Sequence, residues 1–319
     1  MSNAKYQLEI GAEALQALLS EFRAGNVGER SVEKKRLQRH LSELSKRWGE
    51  RFPGLPEAQF AYSSFKGASR RGVRDKFLKG IIVKLLEGSE DEGKAIVNPA
   101  CVWGRHARDV ARRLGGFRVI GTDINPRFDR LYGRLPWSRT PGNYEFKKDD
   151  IFNRQVEPSP AAVVFFGACG SLSDAAIDYA IQTNSPYLIC RTCCHDNIGG
   201  NTEIVKRLGF LNWAFRFKNF VFAKRRAKAK GDYFSPKYSA EHYPRSEAAK
   251  RLTNSDELIQ VARNTVNSDL CRSIIDLDRY LHLAEAGYDV WYRAEMFVAQ
   301  LATNTLGTGA QRHEKVEEE

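Results

Sequence analysis

The sequence predicts an α/β fold, a doubly wound and mostly parallel sheet with a helical N-terminal module and a basic insertion after the fifth strand. Three observations lead there. From Ala95 onward, short apolar runs alternate with amphipathic stretches: AIVNPA, HARDVARRL, FRVIGTDI, PRFDRLYGRL, YEFKKDDI, AAVVFFGA, LSDAAIDYAI and PYLICRTC. Strand alternating with crossover helix gives parallel strands joined by right-handed connections. Before Ala95 apolar residues recur at helical spacing, and after Cys194 the alternation stops in a basic stretch.

Residues 1–94 read as helices. Leu37, Leu41 and Leu44 recur at helical spacing, and Val73, Phe77, Leu78, Ile81, Ile82, Leu85 and Leu86 form a wide apolar stripe, with a break at RFPGLPEAQ between them. Residues 95–300 hold the sheet, interrupted by an insertion at about 196–254 in which NWAFRFKNFVFAK is a candidate strand. A long helix is expected from about Ser255 to Ala286, stopped by Gly287, and YDVWYRAEMF reads as one further strand. Residues 301–319 end in HEKVEEE, an acidic tail expected to be flexible.

Composition narrows the class. With 42% hydrophobic and 28% charged residues in 319, the chain has an ordinary soluble balance, and no apolar run approaches the ~20 residues that span a bilayer. The start, MSNAKYQLEI, lacks the basic flank and apolar stretch of a secretory signal. Six cysteines, several inside apolar segments, do not form a disulfide framework, and a cytoplasmic setting is expected.

The net charge of +11 is concentrated. Residues 1–94 carry 18 Lys and Arg against 13 Asp and Glu, and residues 195–250 carry 12 against 5, so the remainder is almost neutral. Basic appendages on a neutral core suggest a polyanionic partner, RNA being the usual one; a solubilising surface is the alternative. The candidate contacts are Arg70, Arg71 and Arg74, in a cluster with Lys76 and Lys79, together with Lys224, Arg225, Arg226, Lys228 and Lys230. Tyr233, Phe234 and Tyr238 follow the second group, adding stacking surface to phosphate-binding charge.

A nucleotide-type cofactor in such a sheet sits over the first strand-to-helix turn, where little side-chain bulk lets backbone N–H groups approach it. That turn is NPACVWGRHA. A carboxylate at the end of strand two accepts from a ribose diol, and Asp123 in VIGTDINP stands about 20 residues beyond Gly104, at the expected spacing. After strand three, Asp149 or Asp150 is placed near an adenine, Asp150 being preferred because it directly precedes Ile151. A dehydrogenase would use the same frame, but the G-x-G-x-x-G fingerprint is absent.

The order of these pieces resembles the motifs of class I, Rossmann-like, S-adenosylmethionine-dependent methyltransferases. In that family the first motif runs acidic-x-Gly-x-Gly-x-Gly; here Asn98, Ala100, Val102 and Gly104 occupy those positions. Asn98 is then open to bonding either the backbone or the cofactor's amino acid moiety, and Val102 with Trp103 is the real departure. Strand four ends in FFGACGSLS and strand five in RTCCHDN. This pair is similar to a subfamily that includes tRNA 2′-O-methyltransferases and proteins with a ribosomal RNA adenine dimethylase domain. Cys169, Gly170, Leu172 and Ser173 match its first motif, with Ser171 in place of an acidic residue. Cys193, Cys194 and His195 match its second, and Leu277, Asp278 and Arg279 match its C-terminal helix.

The resemblance implies S-adenosylmethionine as cofactor, held by Asn98, Ala100, Gly104, Asp123, Asp149, Asp150, Ile151, Gly167 and Cys169. It implies chemistry at Cys194, His195 and Asp196. His195 suits a general base for a ribose hydroxyl, or simply caps the strand; Asp196 suits the orientation of an amino group. A zinc reading of Cys190, Cys193 and His195 lacks a second ligand pair, and a catalytic thiol lacks its usual Pro-Cys signature. RNA methylation is the expected function. Protein or small-molecule methylation, and a non-catalytic RNA-binding scaffold on a degenerate fold, are the alternatives.

Overall fold

The computed structural model describes residues 3–27, 30–55, 68–101, 103–124, 126–134, 139–152, 159–193, 243–265 and 268–302. Its centre is a seven-stranded sheet in the order β3-β2-β1-β4-β5-β7-β6. The strands are β1 (Ala95–Asn98), β2 (Arg118–Asp123), β3 (Tyr144–Lys148), β4 (Ala162–Cys169), β5 (Tyr187–Cys193), β6 (Tyr288–Arg293) and β7 (Met296–Leu301). The first five pair in parallel, while β7 runs antiparallel to both β5 and β6. The strand order reverses between β1 and β4, so a crevice opens at the carboxyl end of β1, where such sheets bind ligands.

The central strands are apolar because both faces are covered. Ile96, Val119, Val164 and Ile189 face a core shared with Trp48, Leu78, Ile82, Val110 and Ala111. These come from α3 (Ser42–Arg51), α4 (Ala68–Leu86) and α5 (Arg105–Arg113). Val97, Ile120, Val163 and Leu188 face the other core, with Leu15 and Leu18 of α1 (Asn3–Arg23), Ile177 of α7 (Ser171–Gln182) and Ile274 of α10 (Asp269–Glu285). α2 (Arg30–His40), α6 (Pro126–Gly133), α8 (Glu247–Lys250) and α9 (Ser255–Asn264) complete the described helices. α1 lies directly on α10: a Cβ at Gly11 would come within 3.0 Å of the Tyr280 and Leu281 side chains, so only glycine permits this approach.

Three expected elements differ. The helix expected over 255–286 is two helices, because Ser268 caps a new one: its Oγ accepts from Cys271 N at 3.2 Å, while Arg272 Nε bonds the Thr265 carbonyl at 2.6 Å. The strand expected at YDVWYRAEMF is a hairpin. Ala294 and Glu295 take φ values of 42° and 70° at its turn, a conformation usually signalled by Asn-Gly or Asp-Gly, so the turn was invisible to composition. The insertion also ends earlier than 254, since residues from Tyr243 onward join the core. The strand expected at 212–224 lies outside the described residues, as do residues 303–319.

A buried ionic knot joins α7, the end of β5, the segment at Tyr243 and α10. Arg279, 1% exposed, donates to Asp174 Oδ1 at 2.7 Å, to Asp276 Oδ1 at 3.1 Å and to the Gly170 carbonyl at 3.3 Å. Asp276 also accepts from Thr192 Oγ1 at 3.2 Å, and Tyr243 Oη donates to Asp174. Burial pushes the Asp174 carboxyl up, but the Arg279 and Arg245 guanidiniums hold it below its ordinary range. One residue away, Asp278 accepts from the backbone N of Arg245 and of Ser246, both at 2.9 Å. Removing one partner of a buried ion pair typically costs about 3–5 kcal/mol, because the other charges stay buried. Arg279→Met is therefore expected to lose stability of that order in urea unfolding, while Lys250→Met, in an exposed pair with Glu247, should change it by less than about 1 kcal/mol. Equal effects would remove the knot from its structural role.

Candidate active site

The crevice is a cavity of about 570 Å³ at the carboxyl ends of β1 and β4, within the range of small-molecule sites. Asn98, Ala100, Trp103, His106, Tyr132 and Phe166 are among the residues that line it. Its floor is the turn after β1. Ala100 has φ 50° and Gly104 has φ 62°, so the turn keeps a left-handed backbone at two positions although only one is glycine. Cys101 N bonds the Thr122 carbonyl at 2.8 Å and Gly104 N bonds the Cys101 carbonyl at 3.0 Å, which folds the turn tightly against β2. Gly104 precedes α5 without a side-chain cap, leaving backbone donors at that helix start. The Asn98 amide donates to the Val164 carbonyl of β4, so of its two expected roles the structure displays the backbone one.

Beneath the turn lies a second buried ion pair that sequence reading missed. Arg108, 2% exposed, pairs with Asp129 Oδ1 at 2.7 Å and donates to the Trp103 carbonyl at 2.9 Å. Its guanidinium lies 4.4 Å from the centre of the Tyr144 ring and 5.4 Å from that of Tyr132. Tyr144 Oη donates to Asp129 Oδ1 at 2.6 Å. Burial, reinforced by Asp123 and Asp129, pushes the Cys101 thiol up, so it stays protonated. The signal was present in HARDVARRL: Arg108 interrupts the stripe of Ala107, Val110 and Ala111, and a charge on a buried stripe needs a buried partner.

The wall toward β5 holds a third charged group. Arg191 Nε donates to Asp75 Oδ1 at 2.7 Å, and His106 Nε2 lies 3.7 Å from Asp75 Oδ2. The His106 ring packs on Phe166 with centroids 4.8 Å apart. Burial, then the charges of Lys79 and Arg191, lower His106 to about 4, so it is uncharged at neutral pH. Gly167, φ 82°, lies at a register shift in β4 beside the Arg191 guanidinium.

The expected cofactor residues divide into two groups. Asn98, Ala100 and Gly167 line the cavity, and Gly104 closes its turn. Asp123, 4% exposed, sits at the neighbouring strand end, where its carbonyl accepts from Asp149 N at 3.2 Å. Asp150 Oδ1 accepts from Phe152 N at 3.0 Å and Ile151 is buried, so these residues form a cluster beside the cavity rather than on its wall. Cys169 ends β4, with its side chain outside the described residues. Cys194, His195 and Asp196 also lie outside them, as do Lys224, Arg225, Arg226, Lys228 and Lys230. Arg70 begins α4 with an undescribed side chain, and Arg71 is half-buried.

Arg74 requires a correction. It is fully buried and pairs with Glu295 Oε2 at 2.8 Å, which fixes α4 to the β6–β7 turn and removes it from any phosphate-binding surface. Cys190 is likewise a core residue, fully buried, and burial pushes its thiol up. Among the described residues no helix is long and apolar enough to cross a membrane.

No family model matches the sequence, and no curated protein does. Among solved structures, magnesium protoporphyrin IX methyltransferase from Synechocystis PCC 6803, with bound SAH, matches 84% of this chain and all of its own at 12% identity and a TM-score of 0.36. The antibiotic-resistance methyltransferase Kmr matches 70% of this chain and 93% of its own, at 12% identity and TM-score 0.33. The methyltransferase domain of bacterial CtHen1 matches 36% of this chain at 18% identity and TM-score 0.28, the alignment spanning 63% of that domain's chain, less than two thirds. Likeness at this level carries no assignment of a reaction.

The turn geometry gives an expected outcome. A Cβ at Gly104 would come within 3.0 Å of Tyr144 Oη, Asp129 Oδ1 and Arg108 Nη1, so Gly104→Ala should destabilise by about 1–3 kcal/mol or more. Ala100→Gly relieves roughly 1–2 kcal/mol of left-handed strain against glycine's larger unfolded entropy, and should hold stability within about 1 kcal/mol. Denaturant unfolding of both variants measures this. A Gly104→Ala variant as stable as wild type would contradict the braced turn.

Proposed function

We propose that this chain is an S-adenosylmethionine-dependent methyltransferase whose acceptor is RNA. The observation that carries the reading is the turn after β1, which keeps left-handed backbone at Ala100 and Gly104 above a helix start with open donors. A non-glycine residue held in left-handed backbone at the turn between a strand and a helix is strain of the kind that gathers at ligand sites. The sheet supports it further: β7 alone runs against the other six strands, inserted between β5 and β6, unlike the wholly parallel sheet of dinucleotide-binding domains.

The residues present fit the cofactor. The α5 donors suit its carboxylate, Asp123 its ribose diol, and Asp150 with Ile151 its adenine. When bound it supplies an electrophilic methyl group on a sulfonium. The chain's own part is to hold the acceptor in line at about 3–3.5 Å and to exclude water. Protonated Cys101 and uncharged His106 keep that wall free of competing nucleophile and of repelling charge. Cys194, His195 and Asp196, directly after β5 in sequence, are the candidates for orienting the acceptor. The basic residues of 195–250 support RNA over an uncharged acceptor.

A second reading, a non-catalytic RNA-binding scaffold, draws on Val102 and Trp103 in place of the glycine-rich motif. Calorimetric titration with S-adenosylmethionine separates the two. The enzyme should bind, and Asp123→Ala should weaken binding by roughly 10-fold or more, the worth of hydrogen bonds to a charged group. No binding at about 1 mM favours the scaffold. RNA retention should fall steeply as salt is raised.

A further inference from the structure

Trp103 is the part of the turn that neither the fold nor the cofactor accounts for. It is one of three large apolar side chains that stand exposed among the described residues, with 42% of its surface open, and it lines the cavity. Exposure alone is unremarkable for a single apolar residue. What distinguishes this one is how firmly its backbone is held. Its carbonyl accepts from Arg108 Nη1 at 2.9 Å, and Arg108 is itself fixed by Asp129 at 2.7 Å and by contact with the Tyr144 and Tyr132 rings. A buried ion pair with two aromatic contacts thus presents an indole to solvent.

Around it the cavity offers further flat surface. Tyr132, Phe166 and His106 line the same space. His106 packs on Phe166 rather than on solvent, and burial with Lys79 and Arg191 keeps it uncharged, so it presents a π face and no charge. Exposed Arg105 stands among the same lining residues, a cation at the rim. Fixed aromatic faces beside a cation are the elements that bind unstacked bases.

We propose that Trp103 is a stacking platform for a nucleobase of the RNA acceptor, held in position through Arg108. This rests on the RNA-methyltransferase reading and deepens it, because a base can reach the indole face only where it is single-stranded or turned out of a helix. The acceptor would then be a loop, an end or a splayed nucleotide and not an intact duplex. Arg108 acts through Trp103 and is a positioning residue.

The test uses the full chain and a short single-stranded RNA, with and without S-adenosylhomocysteine. RNA should quench tryptophan emission, and Trp103→Phe should lose most of that quench while keeping affinity within about threefold, since phenylalanine still stacks. Trp103→Ala should weaken RNA binding roughly 10-fold, the worth of about one base stack, and weaken S-adenosylhomocysteine binding by clearly less than that. Full duplex of the same sequence should show little quench. Equal RNA affinity in wild type and Trp103→Ala overturns the platform, as does a parallel loss of S-adenosylhomocysteine affinity, which would move the indole into the cofactor site. A wild type that binds S-adenosylhomocysteine but no RNA overturns the nucleic-acid acceptor and the platform together. RNA binding that depends on Trp103 in a chain that never binds S-adenosylhomocysteine keeps the platform and overturns the methyltransferase reading.

Discussion

Arg279 sits without solvent between two carboxylates, a backbone carbonyl and the segment that returns from the insertion. A guanidinium this deep would cost several kcal/mol of desolvation if left unpaired. Asp174 and Asp276 offset that cost, and through them Arg279 reaches the carboxyl ends of β4 and β5. Asp174 begins the helix after β4, and Asp276 holds Thr192 near the end of β5. The positions of these two strand ends therefore depend on a helix almost a hundred residues further along the chain.

That dependence explains why distant pieces of sequence belong together. Gly170, Asp174, Thr192, Tyr243 and Arg279 form one bonded set, so ACGSLS and the Leu-Asp-Arg helix are partners in a single knot. The long stretch between β5 and Tyr243 can then vary in length without disturbing the sheet, because its return is fixed by Asp174 and by the Asp278 carboxylate. Loop insertions between anchored ends cost little entropy. The same economy holds at α4, where Arg74 and Asp75 bond to the β6–β7 turn and to β5.

The alternation of strand and helix was legible because it is a local pattern: AIVN, RVIGTD and AVVFF are apolar runs that two covered faces demand. The hairpin of β6 and β7 was not, since its turn uses Ala294 and Glu295 where composition looks for glycine or asparagine. Beside the cavity, the spacing from Gly104 put Asp123 at the end of the second strand and the apolar run YEFKKDDI put Asp149 and Asp150 just after the third, which is where these elements lie. The roles of Arg74 and Arg108 could not be read in this way, because whether an arginine is a surface cation or a buried brace depends on a carboxylate far away in sequence, Glu295 or Asp129. Trp103 was visible only as a departure from a motif; its exposure and its support by Arg108 are three-dimensional facts.

The bond from the Asn98 side chain to the Val164 carbonyl crosses between β1 and β4, just past the last paired residues of those strands. It ties the two strands together at the mouth of the cavity that Asn98 lines. An amide can make that bond because it carries N–H donors; a carboxylate is an acceptor only and would face the carbonyl oxygen with like polarity. An ionised aspartate at position 98 would set two oxygens of like polarity against each other where β1 and β4 meet the cavity, so in this chain the amide is what lets the two strand ends stay together there.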